Sequence, residues 1–459
     1  MVQVAARAAE RYRFDVESRV NKVESGTVTA AASAALDAMT VAQTVDIVYD
    51  ANGNAVRQTI SGTSGAVSVT QLTYDADNGL QCTAQRMNPA VFASLPSNAC
   101  TLSTAGTGAT DFGADRIVQN SYDANGRVTS VKTAFGTADQ ANEVASAYTA
   151  NGQISHVIDA ESNRTGYIYD GHNRLNQIRY PLPTKGSNAA STTDYEQLSY
   201  DANSNVTIRR LRDATSIALT YDNLNRVTLK DLPGTGPDVT YTYDLLGRPM
   251  SAVTTTVTNS FLYDALSRMT RETGQQGQVN YQYDAAGRRT RITYPGATSL
   301  FVDYVYDVTE NVLQLRENGA TSGAGVLANY AYDSLGRRQS ITFGNGTSRS
   351  FGFDATQRLS SLTNNPAGTV NDQTVSFGYN PASQIASLTK SGDNYAWNGH
   401  YNINRNYTAN GLNQLTAAGA TALGYDARGN LTSSGTSVYT YSSENQLRTG
   451  PNGASLGYD

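Results

Sequence analysis

The feature that most constrains this chain is a six-residue phrase written over and over. It reads Tyr122-Asp123-Ala124-Asn125-Gly126-Arg127 in one copy, and near-copies begin at Tyr243, Tyr283 and Tyr332. Marking each aromatic that is followed by a polar residue and, four places on, by a turn residue gives nineteen starts from Phe14 to Tyr458, Tyr407 among them. Thirteen are Tyr-Asp and two are Phe-Asp, so the second place is strongly acidic. Starts lie 20 to 31 residues apart between Tyr148 and Tyr379, and 16 to 18 apart after Tyr407. A unit this short buries no core of its own and must stack on its neighbours. Residues 1–459 therefore read as one repeat array, although their number alone suggests two or three ordinary domains.

Each place in the unit has a physical job. Asp at the head of a turn accepts hydrogen bonds from backbone N–H groups further on, and Gly or Asn four places after Tyr tolerates a positive φ. Together they predict a type I turn followed by a bulge, joining antiparallel strands. The fourth place is Gly, Asn or Ser in sixteen of eighteen readable copies, with Glu310 and Gln357 the exceptions. The fifth is Arg in nine, Asn in four and Gln in three, and never Lys. A planar, forked donor is preferred there, which predicts a structural bond to a neighbouring repeat's carbonyls or Asp, a geometry an ammonium does not match. Four full copies are thus assigned structural roles: Tyr122, Asp123, Gly126, Arg127; Tyr243, Asp244, Gly247, Arg248; Tyr283, Asp284, Gly287, Arg288; and Tyr332, Asp333, Gly336, Arg337.

The residues between turns are β-formers. Segments before the Tyr, such as VTYTYD, alternate as strands do, whereas after the turn apolar residues recur at an offset of three, as in Val128 and Val131. That offset requires either a bulge or burial on both faces. Two strands per unit give on the order of 38 strands, a ribbon too wide to stay open and too long to close as a filled barrel. The expected fold is all-β: short antiparallel strands wound into a hollow spiral shell.

Two stretches break the period. Residues 27–43 are rich in alanine and predict a short helix. Residues 76–118 read as an insertion or a pair of degenerate repeats, and hold both cysteines, Cys82 and Cys100. These are either two separate buried thiols or a disulfide across the loop, the latter worth about 3 kcal/mol in a chain-entropy account.

No chemistry converges. The three histidines, His156, His172 and His400, have no acidic or Cys partners at metal-ligand spacing, and no nucleophile or phosphate-loop motif occurs. The glycine-rich PGTGPD, 233–238, reads as a loop. No catalytic, cofactor-binding or metal residue is assigned, and no enzyme activity is expected. A net charge of −5 without basic runs argues against nucleic-acid partners. No window has the roughly 20 apolar residues of a membrane span, and the N-terminus lacks the apolar stretch of a signal peptide. Rows of Tyr together with Trp397 suggest an alternative, a cell-surface adhesin or carbohydrate-binding module with a glycan or receptor as partner.

The Tyr-Asp-x-x-Gly-Arg unit, its spacing and its long run resemble the YD repeats of the Rhs family, as do segments such as QCTAQRMNPAVFASLP and YTANGLNQLTAAGA. The resemblance covers about Phe14 to Asp459 and implies a β-shell, related to those of teneurins and toxin-complex proteins, that encloses a C-terminal toxin or effector. It also implies a secreted or cell-surface location. The family's core region and variable toxin have no counterpart here, and the chain stops at Tyr458-Asp459, inside a new copy. A fragment, incomplete at both edges, is the expectation, with its missing effector domain as the enclosed partner.

Overall fold

The computed structural model describes residues 7–30, 33–108, 111–234, 236–296, 300–366, 370–393, 395 and 404–458. Val, Ile, Thr and Tyr between turns do form strands, and thirty of them belong to one long antiparallel sheet. Every strand pair described joins neighbours in sequence. The first eight strands set the pattern: β1 (Arg7–Phe14), β2 (Val20–Val28), β3 (Thr40–Tyr49), β4 (Ala55–Gly62), β5 (Gly65–Tyr74), β6 (Leu80–Arg86), β7 (Arg116–Tyr122) and β8 (Val128–Thr133). The sheet is not closed, since β1 pairs with β2 alone among the described residues. Smaller antiparallel groups of five and two strands follow in the C-terminal part.

The offset of three is resolved by a bulge. Tyr122 pairs with Val128 and Ser121 with Ser130, so Thr129 is the extra residue and Val128 and Val131 share a face. The same register shift follows Tyr243, which pairs with Pro249 while Thr242 pairs with Ser251. Within the Ala-rich segment a five-residue helix, α1 (Ser33–Asp37), lies between the end of β2 at Val28 and the start of β3 at Thr40. In the second break β6 pairs directly with β7, which makes residues 87–115 a single excursion within one hairpin.

Contacts divide the chain into two compact units, Met1–Glu143 with Val302–Gly399, and Val144–Phe301 with His400–Asp459. Inside each, turns late in the sequence rest on the far ends of strands from much earlier. In the first unit Gln85 Nε2 donates to Pro381 O at 3.1 Å, Gln357 Nε2 donates to Gln43 Oε1 at 3.1 Å, and Arg116 reaches Gln384. A Cβ on Gly62 would collide with Ala355, so that approach needs glycine. In the second unit the Gly411 N–H donates to Pro183 O at 2.8 Å, Asn413 Nδ2 to Asp159 Oδ2 at 2.8 Å, and Lys230 pairs with Glu444 at 2.7 Å. The strand ribbon therefore returns on itself within each unit.

Such a sheet has little interior. The chain exposes 26351 Å², against about 17,000 Å² for a compact globule of its mass, and most strand residues are only half-buried. The densest packing lies where residues 87–115 cover β5 to β7. Cys82, Ala84, Ala99 and Ile117 are fully buried there, and Cys82 is joined to Cys100 by a disulfide with a Cα–Cα distance of 5.3 Å. Beside them Arg86, fully buried, donates through Nη1 to Asp115 Oδ2 at 2.6 Å and to Thr101 O at 2.7 Å, and through Nη2 to Gln71 Oε1 at 2.7 Å. Burial pushes the Asp115 carboxyl up, but hydrogen bonds from Ser103, Met87 and Arg86 outweigh it and hold the group below its ordinary value. Replacing Arg86 by Met strands a buried carboxylate, and a loss of about 3–5 kcal/mol is expected in chemical denaturation. Adding Asp115→Leu should recover part of it, and equal stability of R86M and the parent would show that the pair does not hold the loop.

Candidate functional site: a ladder of Tyr-Asp-Gly-Arg turns

The repeated turn is built by its aspartate. Asp123 N donates to Arg127 O at 2.9 Å and Gly126 N to Asp123 O at 3.0 Å, with Gly126 at φ +74°. Asp123 Oδ1 accepts the N–H groups of Asn125 and Arg127, while Oδ2 takes Nε and Nη2 of Arg127 at 2.8 and 2.6 Å. Asp244 with Gly247 and Arg248, Asp284 with Gly287 and Arg288, and Asp333 with Gly336 and Arg337 repeat the arrangement. Glu310 and Gln357 take the glycine's place at φ +70° and +66°, so the turn forms there without its preferred residue.

Each turn is then tied to the next. Arg248 Nη1 donates to Asp264 O and to Ser267 Oγ, both at 3.1 Å, and its guanidinium lies 4.7 Å from the ring centroid of Tyr263. Arg226 treats Asp244 and Tyr243 in the same way, and Arg268 does so with Asp284 and Tyr283. The tyrosine hydroxyl points back. Tyr122 donates to Leu80 O, Tyr243 to Val227 O, Tyr283 to Met269 O and Tyr332 to Val312 O, at 2.7 to 2.9 Å. In every case the acceptor is the residue just after the preceding repeat's fifth place. Tyr458 makes the same bond to Leu447 O at 2.9 Å, while Asp459 lies outside the described residues.

Where the fifth place is Asn, a second rule applies. Asn54, Asn205 and Asn430 donate to their own aspartates and also to the Oδ1 of the left-handed Asn78, Asn225 and Asn445 in the next repeat. Asn311, whose next repeat offers Gly336, turns instead to Thr309 Oγ1 at 2.9 Å.

One sequence assignment is corrected. The turn near Tyr407 is headed by Asn410, whose N–H donates to Gln414 O while Asn413 N donates to Asn410 O. Ala409 fills the aromatic place, and Tyr407 is an exposed residue two positions ahead, because the left-handed residue is Asn413 and not Gly411. Three further turns of the same hydrogen-bond form, at Asp159, Leu211 and Phe343, escape an aromatic-based search. The pattern Asp159-Ala160-Glu161-Ser162-Asn163 was readable without it.

These side chains have little left for reaction. The motif carboxylates are saturated by N–H donors, and among the described residues no group of three or more His, Cys, Asp or Glu is placed to hold a metal ion. His156 accepts from Arg164 Nη2 at 3.0 Å, and burial together with that charge lowers its pKa. His172 lies in an exposed turn, and His400 and Trp397 are outside the described residues. The rings of Tyr243 and Tyr283 each lie under a guanidinium, and their hydroxyls donate to backbone carbonyls. No helix among the described residues is long and apolar enough to cross a membrane.

Residues 197–317 match the Teneurin YD-shell family, and residues 148–185 and 332–370 match the RHS Repeat. Residues 148–185, 197–317 and 332–370 are thus RHS/YD repeats. Among solved structures, the crystal structure of TcdB2-TccC3 shares 14% identity with a TM-score of 0.51 over 96% of this chain and 26% of that one. The Photorhabdus luminescens Tc holotoxin pore aligns at 16% identity and a TM-score of 0.48, over 95% of this chain and 24% of that one. The chain spans about a quarter of the length of these structures, and the likeness to TcdB2-TccC3 establishes a shared fold. No curated protein matches it by sequence.

Two outcomes test the ladder. Arg248→Lys keeps the charge but loses the fork, the carbonyl bond and much of the ring contact, so a melting temperature lowered by a few degrees is expected, with Arg248→Gln closer to the parent than Lys. Asp170 and Glu24 are held at about 2, the first mainly by the Arg174 N–H and the second mainly by Arg11, against ordinary values of 3.8 and 4.5. A lowered folded pKa gives stability that is present above the ordinary value and lost as pH falls through the folded one. Thermal stability should therefore hold above about pH 4.5 and decline toward pH 2, and a flat profile across that window would contradict the assignment.

Proposed function

We propose that this chain is a wall segment of a shell that encloses a polypeptide, its own toxin or effector region, for use against other cells. The observation that carries the reading is the fold shared with TcdB2-TccC3 over 96% of the chain, together with the YD-shell and RHS-repeat matches. The wall chemistry supports it. A single sheet tied edge to edge by arginine, tyrosine and backbone groups makes a large surface from few residues, as an enclosure requires. The motif side chains serve that wall and no reaction, which favours a structural role over catalysis. Secretion follows from the same reading, since an enclosed effector has to leave the producing cell to act.

The test is cryo-electron microscopy of the natural gene product combined with limited proteolysis. Expected are a curved wall with additional density on its concave side and a segment that resists protease until the wall is denatured. A wall accessible to protease on both faces, without additional density, overturns the proposal.

A further inference from the structure

In the second unit the late turns do not seat flush on the earlier strands. Between the turn at 211–215, residues 233, 234, 236 and 237, and the turns at 426–430 and 441–448 opens a cleft of about 480 Å³. Pro233 and Pro237 line it with Gly234 and Gly236, which present no side chain to fill the space. The polar lining consists of Thr215, Tyr441, Ser442 and Ser443, one carboxylate, Asp213, and two guanidinium groups, Arg428 and Arg448.

These two arginines differ from those of the ladder. Arg226 and Arg248 sit 2.6 Å from their aspartates. Arg428 has Asp213 at 3.5 Å and Asp426 at 4.0 Å. Both carboxylates are occupied elsewhere: Asp426 by Asn430 and by backbone N–H groups, Asp213 by the N–H and hydroxyl of Thr215. Among the described residues Arg448 makes no ion pair at all, and the nearby Lys230 and Glu444 neutralise each other. The cleft therefore holds two guanidinium forks without the close pairing of the ladder, with Asp213 as the one carboxylate of its lining, Asp426 at 4.0 Å from Arg428, and hydroxyls around them.

We propose that this cleft binds a small organic carboxylate. The planar fork of arginine matches a carboxylate with two parallel N–H bonds, and a half-enclosed site strengthens the pairing relative to bulk water. The hydroxyls of Thr215, Tyr441 and Ser443 line the space beside it. The inference is independent of the enclosure reading, because it concerns only this cleft.

Calorimetric titration of the full chain with succinate at low salt is the test, with succinamide and inorganic phosphate as comparators. Saturable binding of succinate with Kd on the order of 1 mM, no binding of succinamide, and at least a tenfold weakening in Arg448→Gln at unchanged melting temperature are expected. Arg428→Gln should weaken binding as well. Absence of saturation overturns the proposal, as does an unaltered affinity in R448Q. Phosphate bound as tightly as succinate overturns the assignment to carboxylate.

Discussion

Most of this array depends on a carboxylate at the head of the turn that accepts more hydrogen bonds than the turn strictly needs. Asp244 closes its turn with Oδ1 and holds a guanidinium with Oδ2, and that guanidinium then reaches the carbonyl of Asp264 and the ring of Tyr263. A local device, four residues wide, becomes a relay between neighbours. Each link is worth little alone, about 1 kcal/mol for a hydrogen bond of this kind. Because such links recur along the array, their sum replaces the deep core that a single half-exposed sheet lacks.

Sequence exposed this device well because its parts have few substitutes. Positive φ selects Gly, Asn or Ser, and the fork selects Arg, Asn or Gln, so both columns stand out in a single chain. The bulge at Thr129 was legible as an alternative, and only the pairing of Tyr122 with Val128 decided it. What remained hidden had a common cause. Turns headed by Asp159, Leu211 and Phe343 keep the backbone pattern with Ile158, Arg210 and Thr342 in the aromatic's place, and Tyr407 offers an aromatic without the turn. The Arg86–Asp115 pair is separated by 29 residues of loop, and the cleft at Arg428 unites segments more than 200 residues apart, so neither leaves a periodic trace.

The insertion at 87–115 solves a local problem in a different currency. Elsewhere most strand residues are only half-buried, and the strands are held from edge to edge. Over β5 to β7 the chain lays a loop on one face and secures it twice, with Cys82–Cys100 and with the buried Arg86. It is a small globular core grafted on a wall.

The two junction rules make the repeats directional parts that fit some neighbours and not others. An Asn edge finds its acceptor when the following unit presents a left-handed Asn, as at Asn54 with Asn78, and an Arg edge accepts Ser or Gly, as at Arg248 with Ser267. Asn311 shows the cost of a mismatch: its amide folds back on its own turn and contributes no bond across the junction. Units that look interchangeable by eye therefore carry an order, and shuffling, deleting or duplicating one leaves a seam whose strength is set by two residues.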